Sequence, residues 1–225
     1  MAIKLIAFDW NGTLLADTNI WWRAACKEFE FLGKKPITLR RLQATFTMPL
    51  IDYFVANGYK RADILKNKDK IAAIFFKYYN PKEALARTRG GSKRLLKWLK
   101  GNNIKSIIYS NHSVTDIHKQ LKRLKLTNYI VDVIGRYEDE MIRQFDLKHK
   151  EKLLFQYLKN LKLKKSEVLT IGDTCEEIEI GQALGLHTVA LTGGYNSTAR
   201  LKTAKPDFLI HNIKDLIGII KRLNS

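Results

Sequence analysis

The chain has 225 residues, of which 45% are apolar and 10% aromatic, so we expect a folded core and exclude a wholly disordered protein. Its two cysteines are too few for a disulfide framework or a four-cysteine zinc site. No apolar run approaches the roughly 18 residues of a membrane-spanning helix. These features predict a soluble, cytoplasmic protein.

The formal net charge of +18 has two interpretations. A basic surface attracts nucleic acid, an anionic membrane or phosphorylated partners, whereas a lysine-rich surface that contacts only water needs no partner. The lysines are spread along the chain, and no RNA-recognition, zinc-finger or glycine-loop motif accompanies them. We therefore favour the solvated surface, with no specific nucleic-acid partner, no membrane association and a monomer or homodimer. A positive field would still attract a small phosphorylated ligand.

Six short apolar runs predict β-strands. They are Ile3–Phe8, Ser106–Tyr109, Ile130–Ile134, Val168–Ile171, Thr188–Leu191 and Phe208–Ile210. Segments with helical periodicity lie between them, namely Ser92–Lys100, Val114–Leu124 and Glu151–Leu161. Strands that alternate with helices form parallel sheets through crossover connections. The sequence therefore predicts an α/β fold with a doubly wound, Rossmann-like parallel sheet.

Residues 18–85 interrupt this alternation. The stretch has apolar and aromatic residues at helical spacing, and its glycines and prolines divide it into about four helices. We therefore predict a helical subdomain inserted at 18–85, with residues 1–17 and 86–225 forming the α/β core. We expect the aromatic residues of the insert to pack in a core rather than to surround a ligand.

Polar residues follow the first two predicted strands. Asp9 ends the first strand, and Gly12 and Thr13 favour a sharp turn that is fixed by a hydroxyl. Ser110 and Asn111 end the second strand, where a hydroxyl and an amide can hydrogen-bond an anion. Ligands of open α/β sheets bind at this carboxyl edge. Each pattern alone is also typical of an ordinary turn or helix cap.

An acidic motif follows the fourth predicted strand. Asp173 and Glu177 would face Asp9 across the edge of the sheet and form an oxygen-rich cluster. Mg²⁺ suits such a cluster, because it binds one or two carboxylates together with water and substrate phosphate. The alternative is that the acidic residues compensate a helix dipole. Upstream, Lys148 precedes an amphipathic helix and could reach the same edge.

Together, these motifs resemble those of the haloacid dehalogenase superfamily, in particular its phosphoglycolate phosphatase-like members. The segment that begins at Asp9 resembles the nucleophile motif, and Ser110 matches the Ser/Thr motif. Lys148, which lies 25 residues before Asp173, matches the lysine motif. Asp173 with Glu177 resembles the acidic metal motif, and the inserted helices resemble the cap of this subgroup.

The resemblance implies a Mg²⁺-dependent phosphomonoester hydrolase that acts on a small phosphorylated metabolite through an aspartyl-phosphate intermediate. Asp9 is the implied nucleophile, and Asn11 stands at the position of the family's catalytic acid and base. The implied magnesium ligands are Asp9, the backbone carbonyl of Asn11, and Asp173.

The resemblance also assigns the phosphate-binding residues. Ser110, Asn111 and Lys148 would bind phosphoryl oxygens, and Ser110 and Lys148 would thereby take part in catalysis. Glu177 would orient metal-bound water. Thr13 would support the metal ligands without binding the metal itself.

Three positions depart from the family pattern. Asn11 stands where the family has a second Asp, so it cannot transfer a proton. The acidic motif ends in Glu177 rather than Asp, and His149 follows Lys148 in place of proline, which leaves Lys150 as a rival for the lysine role. Two alternatives stay open: a noncatalytic phosphate- or phosphoprotein-binding module, and a phosphotransferase or mutase of the same fold.

Overall fold

Six parallel strands form the central sheet of the computed structural model, which describes residues 2–136 and 150–225. The strands are β1 (Leu5–Phe8), β2 (Lys105–Ser113), β3 (Asp132–Arg136), β4 (Val168–Gly172), β5 (His187–Leu191) and β6 (Phe208–Ile210). Their order in the sheet is β3-β2-β1-β4-β5-β6, and every neighbouring pair is parallel. This arrangement confirms the predicted α/β fold.

Strand β1 lies at the centre of the sheet, between β2 and β4. Its residue Ile6 is opposite Ser106 of β2 and Leu169 of β4. The strand order reverses beside β1, because the chain builds β2 and β3 on one side and β4 to β6 on the other. Ligands of open α/β sheets bind outside the carboxyl ends of the strands at such a reversal. The ends of β1, β2 and β4 are therefore the expected position of a functional site.

Strand β2 extends beyond its predicted end. The apolar run stops at Tyr109, but the strand continues through polar residues to Ser113. Its pairing with β3 shifts register between Tyr109 and Ser113, so that Ser113 lies opposite Arg136. An apolar pattern does not reveal this extension, because pairing resumes at Ser113 only after the register shift.

Helices cover both faces of the sheet. They are α5 (Ser92–Gly101), α6 (Val114–Arg123), α7 (Lys150–Lys159), α8 (Cys175–Leu184), α9 (Thr198–Thr203) and α10 (Leu216–Asn224). Ile6 and Phe8 of β1 belong to the apolar cluster that includes residues of α5, α6 and α10. Leu5 and Ala7 belong to the cluster on the other face, which includes residues of α7 and α8. All four residues of β1 are buried, as expected for a central parallel strand.

Four helices occupy the segment between β1 and β2. They are α1 (Thr18–Phe31), α2 (Leu39–Thr45), α3 (Leu50–Ala56) and α4 (Arg61–Glu83). Their aromatic and aliphatic side chains form apolar clusters apart from those of the sheet, with Phe29, Tyr53 and Phe75 among the buried members. The helix bounds fit the predicted 18–85 insert, whose status as a separate domain stays a prediction. Within the described residues, no helix has the length and apolarity to cross a membrane.

Candidate active site

Asp9 and Lys150 form a buried ion pair at the carboxyl edge of the sheet. Asp9 directly follows β1 and is 6% exposed, and Lys150 is the first residue of α7 and is 2% exposed. The Lys150 ammonium donates hydrogen bonds to Asp9 Oδ1 at 2.6 Å and to Glu177 Oε1 at 2.5 Å. It also lies 4.6 Å from the centre of the Tyr109 ring. The positive charge of Lys150 therefore offsets negative charge on two carboxylates at once.

The electrostatics of this pair follow from burial and from its partners. Burial raises the pKa of Asp9 above its ordinary value, and the Lys150 ammonium opposes that rise. Burial lowers the pKa of Lys150, but the carboxylates of Asp9 and Glu177 outweigh it and hold the pKa above its ordinary value. The carboxylates therefore favour the ammonium form of Lys150, which is in direct contact with Asp9.

The lysine that contacts Asp9 is Lys150, the alternative to the predicted Lys148. Lys148 lies outside the described residues, so its predicted role stays a prediction. Lys150 lies 23 residues before Asp173, compared with 25 for Lys148. Spacing alone does not separate two lysines of the same segment, whereas the structure brings Lys150 to the carboxylate.

Asp173 follows β4 and is fully buried beside Asp9. Its Oδ1 accepts a hydrogen bond from the Thr13 hydroxyl at 2.6 Å, and its Oδ2 accepts one from the backbone N–H of Tyr195 at 2.6 Å. Burial, together with the Glu177 carboxylate, raises the pKa of Asp173 to about 7. Thr13 therefore connects the loop after β1 to the carboxylate after β4, which extends its predicted turn-fixing role.

A glycine lets the backbone approach the Asp173 carboxylate closely. A Cβ atom at Gly194 would lie 2.0 Å from Asp173 Oδ2, closer than any real contact. Gly194 belongs to the loop after β5, directly before Tyr195, whose N–H donates to the same oxygen. The Asp173 carboxylate, which is predicted to bind the metal, is thus held by a loop in which a residue larger than glycine does not fit at position 194.

Glu177 is held in the first turn of α8. Its Oε2 accepts hydrogen bonds from the Thr174 N–H at 3.0 Å and the Thr174 hydroxyl at 2.6 Å, while its Oε1 accepts from Lys150. Glu177 thus caps the N-terminus of α8 and at the same time forms an ion pair with Lys150. Glu177 therefore positions Lys150, and its predicted effect on metal-bound water stays a prediction.

Ser110 and Asn111 lie in the polar extension of β2. The Ser110 hydroxyl accepts a hydrogen bond from the His112 N–H at 3.2 Å, and the Asn111 amide donates to Glu176 Oε2 at 2.8 Å. All four residues line the cavity that Asp9 also lines. The geometry is compatible with the predicted phosphate contacts, which stay predictions.

A carboxylate that the sequence did not single out organises the loop after β1. Asp17 is fully buried, and its carboxylate accepts four hydrogen bonds from described residues. Gly12 N–H donates to its Oδ1 at 2.7 Å, and the Asn11 amide, Tyr79 hydroxyl and Tyr195 hydroxyl donate to its Oδ2 at 2.9, 2.6 and 2.7 Å. The Asn11 amide also donates to the Tyr79 hydroxyl at 2.9 Å. Asn11 is therefore a donor in a closed network.

A cavity of about 100 Å³ opens beside Asp9, between the sheet edge and the inserted helices. Its polar end is lined by Asp9, Ser110 and Lys150, and the insert contributes mainly aromatic side chains. The lining rings include Trp21, Phe46, Tyr53, Phe54, Phe75, Phe76, Tyr79 and Tyr195. The aromatic residues of the insert pack in apolar clusters, as expected, and several of them also border this cavity.

The strand-end carboxylate and the buried lysine lie at the reversal of a doubly wound sheet, an arrangement compatible with the resemblance to haloacid dehalogenase-type hydrolases. The family model described as haloacid dehalogenase-like hydrolase matches residues 6–191. The chain therefore belongs to the haloacid dehalogenase-like hydrolases.

The chain is similar to phosphoglycolate phosphatases along most of its length. The phosphoglycolate phosphatase of Photobacterium profundum is 27% identical over 227 residues, which cover 97% of this chain and 96% of the relative. Phosphoglycolate phosphatase 1 of Pseudomonas aeruginosa is 24% identical, with 95% of this chain and 78% of the relative covered. Family and relatives together support the assignment of the chain as a phosphatase.

Solved structures show the same fold. A haloacid dehalogenase-like hydrolase of Streptococcus pneumoniae has a TM-score of 0.78 at 21% identity, with 96% of this chain and 98% of that chain covered. A structure titled as a predicted phosphatase from Clostridium acetobutylicum has a TM-score of 0.81 at 17% identity, with 99% and 100% covered. At these identities the likeness concerns the fold.

Proposed function

We propose that the protein hydrolyses a small phosphomonoester in the presence of Mg²⁺, with Asp9 as the nucleophile. The observation that carries this proposal is the Asp9 carboxylate at the cavity wall, held by Lys150 through Oδ1 at 2.6 Å. Within the described residues, Asp9 Oδ2 has no hydrogen bond, so it is the oxygen available for attack.

The proposed chemistry has two steps. Asp9 Oδ2 attacks phosphorus, the bond from phosphorus to the alcohol oxygen breaks, and an aspartyl phosphate forms. Water then cleaves the acyl phosphate and regenerates the carboxylate. Ser110, Asn111 and Lys150 lie at the same end of the cavity, where they would bind phosphoryl oxygens and stabilise their charge.

The carboxylates at this end fit a divalent cation. Asp9, Asp173 and Glu177 are buried together, and among the described residues Lys150 is the one side-chain cation hydrogen-bonded to them. This excess of negative charge, with oxygen donors only, is the chemistry that Mg²⁺ prefers. No group of three His, Cys, Asp or Glu side chains in the described ranges forms a complete metal site.

The magnesium ligands that we propose therefore combine two carboxylates with a backbone oxygen. Asp9 and Asp173 supply the carboxylates, and the carbonyl of Asn11 supplies the third oxygen. A bound Mg²⁺ would neutralise charge on the phosphoryl oxygens. The relatives named as phosphoglycolate phosphatases support the phosphomonoester class of substrate.

Asn11 shapes which esters react well. Its amide nitrogen is committed to Asp17 and Tyr79, and an amide cannot protonate a leaving alcohol. General acid help is worth about 10²–10⁴-fold. We therefore expect faster turnover of esters with good leaving groups, such as p-nitrophenyl phosphate, than of alkyl phosphates.

The test is release of inorganic phosphate from p-nitrophenyl phosphate with MgCl₂ and with a chelator. Asp9→Asn should abolish release, whereas Asp69→Asn, at an exposed position of α4, should not. Intact-mass measurement after acid quench should find a phosphoryl group on the wild-type chain and none on the Asp9 variant. Equal turnover in the Asp9 variant, or full activity with the chelator, would contradict the proposal.

A further inference from the structure

We propose that Glu28 selects phosphomonoesters whose alcohol carries an ammonium group, such as choline phosphate. This inference rests on the proposed function, because it assigns the organic end of the cavity whose phosphate end contains Asp9. Glu28 lies on α1 and is 4% exposed, and it lines the same cavity as Asp9. The cavity therefore joins a nucleophile to a second carboxyl group that the phosphatase chemistry does not use.

The Glu28 carboxyl lacks a partner in the part of the chain that the structure describes. No hydrogen bond or ion pair reaches its side chain, although a buried carboxyl normally has one. Burial alone raises its pKa well above the ordinary value. A buried carboxyl that borders a substrate cavity without a protein cation beside it is suited to a positive charge on the ligand, with or without an N–H.

Aromatic rings form much of the wall of the cavity that Glu28 also lines. Trp21 is the central ring, with centroid distances of 5.0 Å to Phe46, 5.3 Å to Phe75, and 5.6 Å to Tyr53 and to Tyr195. All five rings line the cavity. Aromatic faces attract cations through their quadrupoles, and quaternary ammonium ligands are bound in this way. A cavity lined by both these rings and the Glu28 carboxyl is therefore complementary to an ammonium group.

The charges of the lining argue against an anionic alcohol. Among the described residues, the side chains of this cavity that can carry positive charge are Lys150 and His112. Lys150 is already bonded to two carboxylates, and His112 Nε2 lies 3.3 Å from Glu83 Oε1. A carboxylate on the substrate, as in phosphoglycolate, would therefore meet Glu28 without a free cation from residues 2–136 or 150–225 to balance it.

Binding of an ammonium ligand changes the protonation state of Glu28. The ammonium favours the ionised form of Glu28, so the carboxyl releases its proton to solvent when the ligand binds. Among the described residues, the ionisable side chains that interact with Glu28 are Cys26, Tyr53 and Tyr59, whose pKa values burial raises, so all three stay neutral near pH 7. The bound state then contains one ammonium, one carboxylate and neutral aromatic walls.

The test compares choline phosphate with its neutral isostere, 3,3-dimethylbutyl phosphate, and with phosphoglycolate. The wild-type protein should favour choline phosphate over the isostere by about tenfold or more in kcat/KM. Glu28→Gln should remove most of that ratio. The matched control is Glu30→Gln on the same helix, where the side chain is exposed and pairs with Lys27, and it should keep the ratio.

Binding to the Asp9→Asn variant separates this inference from the proposed function. Choline phosphate should bind that variant more tightly than the isostere, measured by titration calorimetry. Preferential binding without turnover in the wild type would reject the phosphatase proposal and support the ammonium site. Turnover with equal ratios in wild type and Glu28→Gln, a preference for phosphoglycolate, or equal or absent binding of the two probes would overturn the ammonium site.

Discussion

Replacing Asn11 by Asp places a carboxylate against the carboxylate of Asp17. From the family pattern alone, Asn11→Asp is expected to restore an acid and to raise turnover of alkyl phosphates. The structure predicts a different result, because the amide nitrogen of Asn11 donates to Asp17 Oδ2 at 2.9 Å and to the Tyr79 hydroxyl. A carboxylate at position 11 has no proton to donate and repels Asp17.

The size of the penalty follows from the distance. Two unit charges 2.9 Å apart repel by about 6 kcal/mol at an effective dielectric constant of 20. Retaining a proton on one carboxyl avoids this repulsion, at a cost of about 4 kcal/mol at pH 7 for a group that ordinarily ionises near pH 3.9. At about 2–4 °C per kcal/mol, Asn11→Asp should lower Tm by roughly 8–16 °C at pH 7.

The loss of stability should depend on pH with a defined sign. In the variant, the pair of carboxyls has a folded-state pKa above its unfolded value, so its full stability is present below about pH 3.9 and is lost as pH rises through the folded-state pKa. Thermal melts by circular dichroism at pH 4 and pH 7.5 should therefore show a smaller deficit at pH 4. Because Asn11-Gly12 is prone to deamidation, intact mass must verify each sample.

The double variant Asn11→Asp with Asp17→Asn is the decisive comparison. It exchanges the amide and the carboxyl across the same contact, so it should recover at least half of the Tm lost by Asn11→Asp. Asn11→Asp alone should lose activity on every substrate, whereas the double variant should gain more on alkyl phosphates than on p-nitrophenyl phosphate. Wild-type stability in Asn11→Asp, or additive losses in the double variant, would refute the reasoning.

Two further predictions concern the residues that hold the reactive carboxylates. Lys150→Ala should lower kcat/KM by at least about 10²-fold, because it removes the ammonium beside the nucleophile, whereas Lys152→Ala, at an exposed position of the same helix, should have little effect. A comparable loss in both variants would show that Lys150 contributes only to the overall positive charge and not through its contact with Asp9. Gly194→Ala should reduce both Mg²⁺-dependent turnover and Tm, because its Cβ would overlap Asp173, whereas Gly90→Ala meets no atom within 4 Å and should be neutral. Unchanged turnover in Gly194→Ala would mean that the loop shifts freely.

The fold could be predicted from the sequence because its strands carry continuous apolar runs. All residues of β1 and of β4 are buried, and a central parallel strand requires such a run. The carboxylates Asp9 and Asp173 could be predicted for the same reason, since they directly follow these strands and parallel strands end at one edge. The extension of β2 beyond Tyr109 could not, because its pairing depends on the backbone of β3.

From the sequence, the lysine that contacts Asp9 could be assigned only to the segment that contains Lys148 and Lys150. Lys148 and Lys150 share the same surroundings in sequence, and family spacing favoured the first. The position of the ammonium depends on which carboxylates face it across the fold. The structure brings the Lys150 ammonium to Asp9 and Glu177, residues 141 and 27 positions away in the chain.

The identity of residue 11 depends on contacts that no local pattern contains. Asp17 receives donors from the loop after β1, from Tyr79 of α4 and from Tyr195 after β5, which lie 62 and 178 positions away. Each group around Asp17 donates a hydrogen, and Asn11 supplies one of the four. An aspartate would be the one member unable to donate while ionised. The donors that Asp17 binds therefore favour an amide at position 11, and we predict that a carboxyl there becomes compatible only when position 17 changes with it.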